Sequence, residues 1–366
     1  MRAFIRNLRP WIVVLALCTV YLLAVFLANG ADARVFVTLG TRFTEGDPAG
    51  TEGYDGQFAY FIAANPLNAS QHLDAPAYRY QRILLPALGR ALSLGRVELI
   101  PWAFVLINLI ALAGGTFLME RLLQAEGANR WYALVYGLFA GVFMSVRLSL
   151  NEPLAYGLVL AAIWLERREK PHLSAGVFAL AILAKETAIT FVVGYLLWML
   201  AERRWGAALR LAVTALIPFA LWQIVLFGQF GEFGVGSGGA MATPFEIIPY
   251  NGLWRIYIDT GSLVVFLAFA VLLIPGAVIP SLWGLVRAVQ DVLRRRRHPY
   301  VFLLFASAAV IPFTPFSTFR EPLGMLRFIT GLVIAVVLFA AMRRHSRALN
   351  YSFLWLVSLA FVVSSG

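Results

Sequence analysis

"MRAFIRNLRPWIVVLALCTVYLLAVFLANGADA", residues 1 to 33, opens the chain. It ends in small residues, as a secretory signal does. Its apolar run, however, is longer than the roughly 7–15 residues of a signal core. The stretch reads as a retained first membrane helix near 10–29. That reading decides the fold, because similar runs recur to the end of the chain. They lie near 99–120, 131–147, 152–165, 173–185, 187–201, 208–228, 261–286, 300–315, 322–342 and 349–364. The expectation is an all-α polytopic membrane protein of about 11 transmembrane helices, with residues 1–366 forming one domain.

Composition agrees. Hydrophobic residues make up 60% of the 366 and charged residues 13%, against roughly 25% charged in soluble domains. The net charge of +11 would suit nucleic acid if it were concentrated in one patch. Instead the basic residues come in short clusters between apolar runs, so no nucleic-acid partner is expected. With the N-terminus in the cytoplasm and the helices alternating, 19 of the 30 Lys and Arg residues fall on the inner side, as the positive-inside rule requires. The single cysteine, Cys18, lies in the first run and cannot form an intrachain disulfide. No internal repeat stands out.

Two segments then lie outside, at 30–98 and 229–260. The second holds "GEFGVGSGGAMATP", a Gly-rich run expected to be flexible. The first holds "RILLPALGRALSLGR" (Arg82 to Arg96), apolar but too short to span, and expected to lie along the membrane surface as an interfacial helix. It also holds "GTEGYDGQFAYFIAANP" (Gly50 to Pro66), where Glu52, Tyr54, Asp55 and Gln57 crowd together.

Charges within apolar runs cost roughly 2.5–3.5 kcal/mol even on lenient scales, so those that persist are informative. Three tight outer turns carry them. They are Arg147 with Glu152 ("SVRLSLNEPLAYG"), Lys185 with Glu186 ("LAKETAIT"), and Arg320, Glu321 and Arg327 ("FSTFREPLGMLRF"). Together with the first loop they predict a shared cavity at the outer face. Asp55, with Glu52 beside it, is the candidate general base; burial in a partly dry cavity would raise its pKa. Arg79 and Arg82 ("DAPAYRYQRILLP") suit a planar, bidentate phosphate contact. Tyr54, Gln57, Arg147, Glu152, Lys185, Glu186 and Arg320 complete the substrate-binding set. The competing structural readings are a helix cap for Asp55, solvated loop charge for Glu52, and local ion pairs at the turns. The histidines are scattered, so neither a metal site nor another cofactor is indicated. No nucleotide-binding loop is present.

The first-loop "EGYDGQFAYF", the helix start "NEPLAYGLVLAAIW" and "LAILAKETAITFVVGYLLW" resemble the type C fold (GT-C) membrane glycosyltransferases. "YDGQFAY…APAYRYQRILLP" is similar to a bacterial group placed near that superfamily. The resemblance covers most of residues 1–230. It implies a polyprenyl-phosphate sugar donor, inverting transfer, a catalytic acid in the first outer loop and residence in the bacterial cytoplasmic membrane. The acceptor is a glycan, a lipid or a protein, and membrane lipids are the remaining partners. Glu52 and Asp55 are separated by two residues, whereas GT-C enzymes commonly carry an adjacent acidic pair. The rival functions are a lipid or lipid-linked-sugar flippase and a noncatalytic envelope-assembly protein.

Overall fold

A computed structural model describes residues 8–239 and 241–360. Arg2 and Arg6 of the inner-side cluster, Ala240 of the Gly-rich run and the end of the last expected span, 361–364, lie outside these residues. Among the described residues every regular element is helical.

The long helices explain the membrane reading. Helix α1 (Pro10–Ala28) buries Pro10, Val14, Cys18, Leu22 and Val25, one stripe at helical spacing. Its other face exposes Leu17, Val20, Leu23 and Leu27. A helix apolar on both faces but packed on only one requires hydrocarbon on the other. Helix α2 (Gly56–Ala64), α3 (Pro76–Tyr80) and α4 (Leu84–Leu92) are short elements of the first loop. Then come α5 (Ile100–Ala125), α6 (Ala140–Arg147), α7 (Glu152–Arg167), α8 (Pro171–Ala184), α9 (Ile189–Ala201) and α10 (Trp205–Phe230). Helix α11 (Asn251–Thr260) is followed by α12 (Leu263–Leu293), which contains one π turn at Ile274–Val278. Helix α13 (Pro299–Val310), α14 (Pro322–Phe328) and α15 (Thr330–Met342) complete the core.

Helix α15 is the axis. Every residue from Thr330 to Ala341 is buried, and α13 packs along it. Helices α7 and α8 pack together, as do α5 with α7, α9 with α13 and α8 with α10. Helices α1, α10 and α12 form the apolar periphery.

Among the described residues four helices are long and apolar enough to cross a membrane: α1, the helix containing α5, α10 and α12. The pair α14–α15, bent by 46°, makes a fifth when counted as one broken span. The other expected spans are shorter or broken. The run 131–147 divides into Arg130–Ala133, Leu134–Gly137 and α6. Helix α8, at 14 residues, rises only about 21 Å, less than the roughly 30 Å of a bilayer core. The second outer segment is not all loop: α10 runs on to Phe230, and α11 occupies 251–260.

Within the first loop, α4 takes the place of the expected surface helix. Leu85, Pro86 and Gly89 face inward, whereas Leu88 and Leu92 are exposed. Arg90 of α4 donates to the carbonyls of Ala63 and Ala64, satisfying acceptors left open at the end of α2.

Candidate active site

The first loop is held in one shape by its own bonds. The Gln57 carbonyl oxygen accepts from Gly40 N at 3.0 Å, and its amide donates to the Glu52 carbonyl at 2.6 Å. Tyr54 N donates to Thr38 O at 2.9 Å. Gln57 is thus a buried clamp that fixes the residues on either side of Asp55.

Glycine contacts then set where Asp55 points. A Cβ on Gly56 would collide with the carbonyl oxygen of Leu148. The start of α2 therefore lies directly on the turn that leads into α7 and Glu152. Gly141 of α6 similarly lies against the backbone of Leu326, which brings Arg327 of α14 to the same place. Asp55 precedes α2 with helical φ and ψ and makes no side-chain cap. Its carboxylate goes elsewhere.

It goes to two arginines. Arg79 Nη1 donates to Asp55 Oδ1 at 3.0 Å, and Arg327 Nη1 donates to Oδ2 at 3.0 Å. Each arginine has a second carboxylate behind it. Arg79 gives Nε and Nη2 to Asp74 at 2.7 and 2.8 Å. Arg327 gives Nε to Glu152 at 2.7 Å, and Lys185 also pairs with Glu152. Arg327 Nη1 reaches the Tyr54 hydroxyl at 3.2 Å, and that hydroxyl donates to Glu321 at 2.5 Å. Buried charges are tolerated when paired and hydrogen-bonded, and this chain of alternating signs meets both conditions.

Arg82 belongs to a neighbouring pair. Its Nε and Nη2 form a fork on Glu186 at 2.8 and 2.6 Å, and Nη2 also donates to Tyr78. Arg79 is stacked 4.1 Å over Phe58 and 5.1 Å from Tyr78. Burial alone would push the Asp55 carboxyl up. Arg79, Arg327 and Arg82 outweigh it and hold that carboxyl well below the usual carboxylate range. The expected raised pKa is therefore reversed here, and Asp55 is an ionised acceptor.

These groups line a cavity of about 1400 Å³. Tyr54, Asp55, Arg79, Arg82, Lys185, Glu186 and Arg327 form its charged end, and the Gly234–Gly239 run lies across it. The backbone at Gly239 packs closely on this pair: a Cβ there would sit 3.0 Å from both Arg79 Nη2 and Asp74 Oδ2. From the helices Ile189, Phe219, Val310 and Leu332 add apolar lining, beside the hydroxyls of Thr187, Thr190 and Ser307.

The remaining expected residues are placed as follows. Glu152 is fully buried behind Arg327 rather than on the wall. Glu52 reaches the rim, where it pairs with Arg42. Arg320 is also at the rim, donating to Met241 O at 3.4 Å. Arg147 braces the first loop through Thr38 Oγ1 at 3.2 Å and does not line the cavity. Arg327 and Asp74, outside the substrate-binding set read from sequence, are central. A cation inside the apolar run "LRFITGLVIAVV" was the signal for Arg327; Asp74 had none. Among the described residues no three His, Cys, Asp or Glu side chains gather as metal ligands would.

Fold and site together define a helical membrane protein with a charged cavity at the end of its bundle that carries the first loop. Comparison with known families makes this more specific. The model of Glycosyltransferase family 87 matches residues 86–311, more than half of the chain. The chain belongs to that family of membrane glycosyltransferases. No curated protein and no solved structure matches it. The matched segment contains Glu152, Lys185 and Glu186; Asp55 and Arg79 precede it and Arg327 follows it.

Proposed function

We propose that the protein transfers a sugar from a polyprenyl-phosphate donor to an acceptor hydroxyl on the extracytoplasmic face, with inversion. The observation that carries this reading is a cavity lined both by paired arginines and by apolar helix side chains. The paired arginines suit a sugar phosphate, and Ile189, Phe219, Val310 and Leu332 offer apolar surface to the isoprenoid chain.

Asp55 is the base. The acceptor oxygen forms a bond to the anomeric carbon as the bond from that carbon to the phosphate oxygen breaks. The hydroxyl proton goes to Asp55, and the electron pair leaves with the polyprenyl phosphate, whose charge the arginines stabilise. In this reading the chain crosses the bacterial cytoplasmic membrane about 11 times with its N-terminus inside. A lipid-borne donor fits a site facing away from the cytoplasmic pool of nucleotide sugars. The acceptor is a glycan, a lipid or a protein.

The test is transfer by the purified protein with a panel of polyprenyl-phosphate sugars and nucleotide sugars. Activity with the lipid-linked donors that vanishes in Asp55→Asn is expected. Use of nucleotide sugars alone would overturn the donor assignment, and full activity in Asp55→Asn would overturn the base.

A further inference from the structure

Asp55 is held differently from the carboxylates behind it. Asp74 takes the Nε edge of Arg79 with both oxygens, and Glu152 takes Nε of Arg327. These anchors are almost closed to solvent, with side chains 9% and 0% exposed. Asp55 takes Nη1 of each arginine, at 3.0 Å, sharing that of Arg327 with the Tyr54 hydroxyl, and its side chain is 32% exposed. If Asp55 withdrew, both guanidiniums would stay in place on their anchors, and both Nη1 groups would point at the space it left. Arginine forks accept carboxylate and phosphate oxygens in the same planar manner.

We propose that Arg79 and Arg327 form a two-arginine site for a phosphate group, and that Asp55 occupies this site until a phosphate displaces it. The inference rests on the donor reading given above, which it deepens by making donor binding the event that releases the base. Asp74 and Glu152 are positioning residues that act through the arginines. An aspartate paired to two guanidiniums is a poor proton acceptor, and one released from them is a better one. The acceptor hydroxyl therefore meets a competent base only when the leaving group's phosphate is already seated, which protects against proton removal in a donor-free site.

The two carboxylates on Arg79 then have opposite effects on binding, and this is the test. Binding of polyprenyl phosphate in phosphatidylcholine nanodiscs and of inorganic phosphate is measured by calorimetry for the full-length protein. Asp55→Asn removes the charged competitor and is expected to tighten binding of both probes by about tenfold, about 1.4 kcal/mol. Asp74→Asn loosens Arg79 and is expected to weaken both. Asp55→Asn combined with Arg79→Ala is expected to lose the gain. Unchanged or weaker binding by a folded Asp55→Asn protein, with the Asp74→Asn result as comparator, overturns the proposal.

A gain for polyprenyl phosphate without one for inorganic phosphate also overturns it, because the site is defined by the phosphate alone. The two readings fail separately. Tighter phosphate binding in Asp55→Asn without transfer from any polyprenyl-phosphate sugar leaves this site standing and removes the donor reading. Transfer that depends on Asp55 without tighter binding leaves the base standing and removes the displacement.

Discussion

The two ends of the helix bundle use the same residue types in different ways. At the end away from the first loop, arginines meet acids in mostly separate pairs: Arg9 with Glu120, Arg167 with Glu126, Arg297 with Glu202. The guanidiniums there remain partly in solvent, 38% exposed at Arg9 and 43% at Arg297. At the loop end, Asp55 is shared by two arginines that are only 10% and 9% exposed, and each has a further acid behind it. A separate pair balances its own charge and stands apart from its neighbours. A chain of shared groups beside a cavity can exchange one member and keep the rest, so arrangement rather than charge count separates a site from an anchor.

The strongest way to break this comparison is to neutralise one acid at each end. Asp55→Asn is expected to lower transfer by about 10²–10⁴-fold, the usual contribution of a general base. Asp291→Asn, which removes the close partner of Arg343 and the more distant partner of Arg296 at the opposite end, is expected to leave transfer within a few-fold. A radiolabelled-sugar transfer assay in the same detergent decides, and equal losses would erase the distinction.

Removing an arginine at each end sharpens it. Arg327→Ala is expected to cost about 10²–10³-fold in kcat, as loss of a group that stabilises developing charge does. Arg343→Ala is expected to change the melting temperature more than kcat. Steady-state kinetics and thermal melts on both variants measure the two effects.

Gly56→Ala tests backbone placement. The added methyl meets the Leu148 carbonyl, and such overpacking costs about 1–3 kcal/mol. The expected result is a lower melting temperature with a loss of transfer, because Asp55 moves with α2.

The pH response carries a sign. Native pairing holds the Asp55 carboxyl below its ordinary value, so its contribution to stability is present above about pH 4, the unfolded value, and is lost as pH falls through the native one. The melting-temperature difference between the native protein and Asp55→Asn is therefore expected to be flat from pH 5 to 8 and to shrink below about pH 4. The smallest effect belongs to the rim: Glu52→Gln breaks an exposed pair with Arg42 of the kind contributing roughly 0–1 kcal/mol, and transfer should stay within about twofold.

The helical class and the charged convergence were legible in sequence because both depend on cost. Long apolar runs require hydrocarbon, and charges inside or beside them require partners. Asp55, Arg79, Arg82, Lys185 and Glu186 stood out on that ground, and they line one cavity. Which carboxylate meets which arginine was not legible, because Asp55 and Arg327 are 272 residues apart, and α6, against which Leu326 packs, brings them together with the turn that follows it. The direction of the Asp55 shift was misread for the same reason: burial is visible in composition, but the two facing guanidiniums are not. Hydropathy also passed over the break at 138–139 in the run 131–147, since Leu138 and Phe139 are as apolar as the helices they separate. It passed over α11 as well, whose "NGLWRIYIDT" mixes polar and aromatic residues as loops do.

The stacking of Arg79 has a consequence for its freedom of movement. A free arginine side chain samples many rotamers, and fixing them on capture of a ligand costs on the order of 2 kcal/mol. Arg79 has already lost that freedom: Phe58 lies under its plane, Asp74 holds its edge and the Gly239 backbone packs close to Nη2. That entropy is surrendered once, when the chain folds, and an incoming anion does not bear it again.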